Sequence, residues 1–405
     1  MPNEALKFTD DDGNEKIDSL FLNQPIKYFT RLLESTNYSV YSFTGDWGSG
    51  KTTFIKLWEK SMSPAEYIHI DAFEMDYETE PFIMFIKHFN KYLKDQKNID
   101  QELLNSFMAK AKNIFLRSMK TIGKTGMNAL VGKIVGNENA KNIISDFSEI
   151  LFDQLVIDES NESSLFDSLK DILSKITESL EKPIYVIIHE LDRCRPSFAL
   201  ETLEKIKHIF TVKNIKFILV YNNYILASII EKTYGISNGN RYLDKFIQKS
   251  IAINNDYNFS NWFSDELKNL KEPDPSSMQH ILNSLEGSSK IFSTIKKTYN
   301  LTLRDFKMLI SNLLNIRTNA LPDSPVGDKF LFIIIAFEVL RIIDTKKYIV
   351  LKSIIETNSV LDLNSPEAAE IINLMNSINC KATPEEAIDI FKEYINGEYT
   401  KPWYI

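Results

Sequence analysis

The chain has 405 residues, of which 43% are apolar, 12% aromatic and 25% charged; that is long for a single core and excludes a disordered or fibrous chain. Its 47 basic and 55 acidic residues leave a net charge of -8, so no general basic surface for nucleic acid is built in, although a local patch stays open. The two cysteines, Cys194 and Cys380, cannot make a disulfide framework or a cysteine-only zinc site, and they suit a reducing, cytoplasmic setting.

The opening MPNEALKFTDDDGNEK has acidic residues where a signal peptide needs a basic flank and an apolar run, so no targeting segment is expected. Residues 20–34, LFLNQPIKYFTRLLE, read as a helix with a proline near its start. Ser39 to Gly45 read as a short strand entering a glycine-rich turn, and TTFIKLWEK as the helix after it. Tyr67 to Phe73, YIHIDAF, alternate as a second strand, and residues 82–94 carry apolar positions at helical spacing.

Residues 98–181 interrupt this order with two regions of opposite charge. Lys110, Lys112, Arg117, Lys120, Lys124, Lys133 and Lys141 mark the first; Asp158, Glu159, Glu162, Asp167, Asp171, Glu178 and Glu181 mark the second. The plain expectation for the basic region is a mobile, solvated helical insertion. The basic run also suits an anionic membrane, a nucleic acid or a partner, and the acidic helix can neutralise it within the molecule.

Strand and helix then alternate again. Ile184–Ile188 is an apolar strand, SFALETLEKIKHIF a helix and IKFILVYN another strand. LASIIEKTYG is a helix with Gly235 suited to its exit, and RYLDKFIQKSIAI turns from helix to a short strand. At least five short strands separated by helices predict an α/β fold with a covered, mainly parallel sheet. From Asn258 the pattern is helical, with LPDSP (residues 321–325) as the clearest turn. Phe330 to Ile343 is the most apolar run; it contains Glu338 and Arg341 and reads as a buried helix rather than a membrane span. The divisions expected are 1–97 and 182–255 for the core, 98–181 for the insertion and 256–405 for a helical C-terminal domain.

The strongest motif is GDWGSGKTT, Gly45 to Thr53, which fits GxxxxGK[ST] in a strand–loop–helix context. Glycines allow backbone amides to approach phosphate oxygens, Lys51 suits the β and γ phosphates, and the Thr52 hydroxyl suits Mg²⁺. The contact set expected for a nucleotide is Gly45, Asp46, Trp47, Gly48, Ser49, Gly50, Lys51, Thr52 and Thr53. Trp47 either shapes the loop or stacks at its rim.

The second motif is YVIIHELDRC, Tyr185 to Cys194, an apolar strand ending in acidic residues. Glu190 is the candidate to orient or activate water. His189 stands where the metal-side acid is usual; imidazole suits softer metals than Mg²⁺, and its plainer reading is a packed strand-end residue. Asp192 is a candidate for a water-mediated magnesium shell or a structural turn. Asn222, after IKFILVY, is placed to sense phosphate or to cap a helix. Arg241 is a candidate phosphate-facing or intersubunit arginine, with Arg193 and Arg195 weaker candidates for that task.

These segments together resemble the KAP family of P-loop NTPases. The resemblance rests on GDWGSGKTTFIKLW, YIHIDAFEMDY, VIIHELDRCRPSFALETLEKIKHIF, KFILVYNN and GNRYLDKFIQ, and covers roughly residues 15–255. It implies an ASCE-type core in which the phosphate-loop strand and the acidic strand are not adjacent. It implies ATP as ligand, places Lys51 and Thr52 in the phosphate-loop roles and gives Glu190 the acidic catalytic role. His189 departs from the family's acidic pattern and puts ordinary magnesium coordination in doubt. Bacterial members include components of phage-defence systems.

The expectation drawn from all this is an ATP- and Mg²⁺-dependent molecular switch with slow or partner-stimulated hydrolysis, in an antiviral defence setting. A protein partner, an effector or a second copy of the chain would read the switch. The rivals are a noncatalytic nucleotide-stabilised scaffold, favoured by His189, and a peripheral membrane assembly protein, favoured by the basic insertion.

Overall fold

The computed structural model of the protein describes residues 7–9, 15–17, 22–63, 66–77, 80–96, 100–111, 114, 162–178, 183–209, 212–253, 259–268, 289–315 and 325–356, with isolated positions between 369 and 390. The chain divides into two compact units. One comprises Gln24–Asp46 and Lys51–Ile253; the other gathers Met1–Asn23, Trp47–Gly50 and Asn254–Ile405.

The first unit is built on β3 (Val40–Thr44), β4 (Tyr67–Asp71), β5 (Ile184–His189), β6 (Ile215–Tyr221) and β7 (Lys249–Ala252), in the order β4-β5-β6-β3-β7. Every pairing among them is parallel. Strands β3 and β5 are buried at every position and β6 at all but one. Their near-complete burial along apolar-rich runs is what a parallel sheet covered on both faces requires. β7 is mostly exposed and polar, as suits an edge. Strand β6 lies between β3 and β5, so the phosphate-loop strand and the acidic strand are not neighbours. This is the mainly parallel, helix-flanked arrangement expected of an ASCE-type core.

Helices α1 (Asn23–Ser35) and α2 (Lys51–Lys60) cover one face. Phe29 meets Phe43, Phe54 and Trp58 edge-on at 4.8–5.5 Å, and Phe43 stacks on Phe54. The buried Trp58 still satisfies its indole, donating to the Thr30 hydroxyl at 3.0 Å. α3 (Ala72–Asp76) begins where β4 stops. The second strand therefore ends at Asp71, two residues short of the expected Phe73, because the Asp71 carboxylate accepts the Glu74 amide and starts a helix.

α4 (Pro81–Asp95) and α5 (residues 101–111) follow, then α6 (Glu162–Glu178). The basic run from Lys112 to Lys141 lies outside the described residues. The described flanks of the insertion pack inward: Leu104 and Phe107 of α5, and Leu169, Leu173 and Ile176 of α6, join the main core. Helices α7 (Pro196–Ile209), α8 (Asn223–Tyr234) and α9 (Gly239–Leu243) complete the unit. Gly235 ends α8 at φ 64, as a left-handed helix exit.

In the second unit β1 (Lys7–Thr9) and β2 (Glu15–Ile17) pair antiparallel, a hairpin the sequence pattern did not suggest. Its helices are α10 (Phe259–Lys268), α11 (Ser289–Tyr299), α12 (Leu303–Asn315), α13 (Pro325–Ile343) and α14 (Thr345–Glu356). Phe259 and Phe306 lie 4.7 Å apart and Phe263 and Phe292 4.6 Å apart, an aromatic centre for α10–α12. From Ile333 to Leu340 every residue of α13 is buried. Its Glu338 carboxylate is fully buried and accepts from Arg341 at 2.9 Å and Asn312 at 2.8 Å. Among the described residues no helix is long and apolar enough to cross a membrane.

Candidate nucleotide site

Strand β3 delivers the chain to Gly45 at the C-terminal edge of the sheet, where ligands of open α/β sheets bind. The loop that follows needs its glycines: Gly48 has φ 81 and Gly50 φ 92, conformations that a side chain opposes. Helix α2 then starts at Lys51, with its free amides and positive end toward the loop. The Lys51 ammonium donates to the Gly45 carbonyl at 2.7 Å and the Asp46 carbonyl at 3.0 Å. Burial lowers its pKa, while the carboxylates of Asp192 and Asp46 raise it. Thr52 is exposed on the first turn.

Strand β5 brings the second half. Its last residue, His189, pairs in register with Asp71 of β4 and with Val220 of β6. Glu190 then leaves the sheet in the left-handed region, at φ 58, with its amide bonded to the Val220 carbonyl at 3.1 Å. A non-glycine residue held there stores roughly 1–3 kcal/mol of strain, a cost found mostly where a site needs the side chain aimed. The Glu190 carboxylate meets Arg193 at 3.0 Å. Burial raises its pKa above the usual glutamate value, and the neighbouring charges of Asp71 and Asp192 add to the rise. Asp192 is buried on the short 3₁₀ turn Leu191–Arg193, within reach of the Lys51 and Glu190 fields.

Asn222 ends β6 and does two things. Its side-chain oxygen accepts the Tyr224 amide at 3.0 Å and the Ile225 amide at 3.3 Å, capping α8, while Nδ2 reaches the Asp46 carboxylate at 3.5 Å. The cap and the loop contact are therefore both real. His189 is 3% exposed. Burial holds its pKa down to about 3, with His69, Lys56 and Lys51 adding to the fall. It is a neutral imidazole, not a stand-in carboxylate.

The fold thus gathers Lys51, Glu190, Asp192 and Asn222 around the loop that begins at Gly45. Two arginines go elsewhere. Arg195 is an anchor: its amide and Nε each bond the buried Asp76 carboxylate at 2.8 Å, and its guanidinium also reaches the Asp76 carbonyl. Arg241 is exposed on α9, its amide bonded to the Asn238 cap at 2.9 Å. No ion pair holds its side chain among the described residues.

Two features escaped the sequence reading. Asp71 sits at a strand end beside Glu190; only the pairing of β4 with β5 reveals it. In the second unit, Gly48 lies against Thr302 and Arg304, where an added Cβ would collide with the Arg304 side chain. Thr302 and Asp305 cap α12 reciprocally, with Thr302 N to Asp305 Oδ2 at 2.7 Å and Asp305 N to Thr302 Oγ1 at 3.3 Å. That capping signature was present in TLRD, but nothing in it pointed to the phosphate loop.

The chain belongs to the KAP family of P-loop domains, whose pattern matches residues 25–320. The match continues past the last strand into α10–α12. The chain is also similar to the Phage T7 exclusion protein of Escherichia coli (strain K12), with 24% identity over 245 residues. That similarity takes in 55% of this chain and 30% of the relative, so the chain spans less than a third of the relative's length.

Proposed function

From membership of this family, we propose that the protein is an ATP-binding molecular switch that hydrolyses ATP slowly or under the stimulus of a partner. The observation that carries the reading is the convergence of Lys51, Asp192 and a strained Glu190 on the loop between β3 and α2. Positive-φ glycines and a helix N-terminus fit a polyphosphate, and the lysine supplies charge at its β and γ groups. Mg²⁺, when bound, neutralises phosphate charge in the transition state. The Thr52 hydroxyl and the Asp192 carboxylate are the oxygen donors that fit it; the neutral nitrogen of His189 does not.

Glu190 accepts a proton from the attacking water, or holds that water by hydrogen bonding. Its raised pKa makes it a better base than an ordinary glutamate. Asn222, tied to Asp46 and to the start of α8, is positioned to register the γ-phosphate. Loss of that phosphate would change the state of residues 256–405, or of a second copy reached through Arg241. The similarity to the Phage T7 exclusion protein supports a role in excluding phage.

The test is phosphate release by the purified chain with and without Mg²⁺, beside Lys51→Ala and Glu190→Gln. Magnesium-dependent release, lost in both folded variants, is expected. Unchanged ATP affinity and turnover in folded Lys51→Ala would overturn the assignment. Saturable ATP binding with no release, even with candidate partners present, would move the reading to a nucleotide-stabilised scaffold. The buried, neutral His189 favours that second reading.

A further inference from the structure

Away from the phosphate loop, Glu59, His69 and His189 converge on one face of the sheet. Glu59 lies near the end of α2, His69 in the middle of β4 and His189 at the end of β5. One ligand atom from each lies within 4.8 Å of the others. The His69 and His189 rings stack at 4.7 Å with 24° between their planes, and His69 Nδ1 meets the Glu59 carboxylate at 2.6 Å.

The second observation is independent of that clustering. His189 Nε2 is buried and has no hydrogen-bond partner among the described residues. A buried ring nitrogen without a partner is costly, and such groups call for an explanation. Packing alone would be served as well by an apolar residue here, since the rest of β5 is apolar apart from Tyr185.

We propose that Glu59, His69 and His189 form a binding site for a borderline divalent transition metal, of which zinc is the type. Two imidazoles and one carboxylate are a three-ligand set that leaves a fourth position for water. The set is wrong for Mg²⁺, which takes oxygen ligands. Charge reinforces the choice. Lys51 and Lys56 are the cations whose fields reach His189, and Glu59 is the one carboxylate of the cluster. Nitrogen ligation, rather than net charge, must then carry the affinity, which selects zinc, cobalt and nickel over magnesium.

The closure required is small. Zinc–nitrogen bonds of about 2.0–2.1 Å draw the ligand atoms together. His69 is 39% exposed and can turn to meet the ion, whereas Glu59, at 11%, is largely held in place. The ion takes the place between His69 Nδ1 and the Glu59 carboxylate, and because it needs unprotonated donors its binding weakens as the pH falls. It would fasten the end of α2, the helix that begins at Lys51, to the strand that ends next to Glu190.

The experiment uses the untagged full chain, stripped with chelator and free of nucleotide, titrated calorimetrically with Zn²⁺ in excess Mg²⁺. One saturable ion per chain is expected, weakened at least about tenfold in Glu59→Gln and in His69→Gln. His69 lies at the surface and Glu59→Gln keeps the side chain's shape at a largely buried position, and melting in chelator checks that both leave the apo fold intact. Zinc-edge absorption of the loaded wild-type chain should show two imidazole donors, a readout that needs no variant. No binding, equal binding in all three proteins, or a zinc shell with fewer than two imidazoles would overturn the proposal.

Discussion

At the end of β5 two adjacent side chains meet opposite electrostatic fates. Glu190 keeps a carboxylate with its pKa raised by burial, and His189 keeps an imidazole that burial will not let charge. The second fact has a consequence for stability. His189 takes a proton at about 3 in the folded chain, against 6.5 for an ordinary histidine. Between those values the unfolded state binds the extra proton, so stability is fully present above the ordinary value and declines as pH falls toward the folded one. One such proton contributes a slope of at most about 1.4 kcal/mol per pH unit. His189→Gln should remove that part of the acid slope while leaving the neutral-pH slope unchanged. Urea unfolding free energies from pH 7 downward, taken in chelator, decide it; identical acid slopes in the two proteins would show that His189 is not the proton site.

At the scale of elements, Asn222 ties α8 to the phosphate loop. Asn222 caps the helix with its oxygen and reaches Asp46 with its amide. The two tasks can be separated. Asn222→Asp retains an acceptor for the cap but puts a second carboxylate against Asp46. Asn222→Ala loses both interactions and should cost about 1 kcal/mol for the cap. The expected result is near-wild-type melting with weakened ATP turnover for Asn222→Asp, and losses in both for Asn222→Ala. Equal turnover in Asn222→Asp and wild type would reduce Asn222 to a cap. Elements of this kind were legible in the sequence because their periods are strong. The strands β3, β5 and β6 are short, apolar-rich runs, and the loop glycines sit at a fixed spacing. The end of β4 was misplaced by two residues because the local cap at Asp71 competes with strand propensity, and propensity does not register such a cap. The hairpin β1–β2 was missed because three-residue strands carry no period. Asp71, Glu59 and His69 were not legible as site residues at all, since strand pairing and helix packing, not sequence spacing, bring them to β5.

On the scale of the whole molecule, stability and ligand binding must be linked if the chain is a switch. A ligand that binds only the folded state adds RT ln(1 + [L]/Kd), about 2.7 kcal/mol at a hundredfold excess over Kd. The unit holding β3–β7 contains Lys51, Glu190, Asp192 and Asn222, so ATP should stabilise at least this unit. Removing the Lys51 ammonium takes away the charge that the β and γ phosphates meet, and Lys51→Ala should lose most of the ATP-dependent rise in melting temperature. In Glu190→Gln the rise should persist, because that change leaves phosphate binding intact and acts on the water. The match that extends from residue 25 to residue 320 reaches into α12, whose first turn includes Arg304, the residue beside Gly48. Protease susceptibility within 254–405, compared with and without ATP, therefore reports whether occupancy at the loop is felt by the helical residues. Protection in wild type and Glu190→Gln but not in Lys51→Ala is the pattern of a switch set by binding and reset by hydrolysis. A rise in melting temperature with no change in that susceptibility would confine the effect of ATP to the sheet-containing unit and remove the basis for coupling.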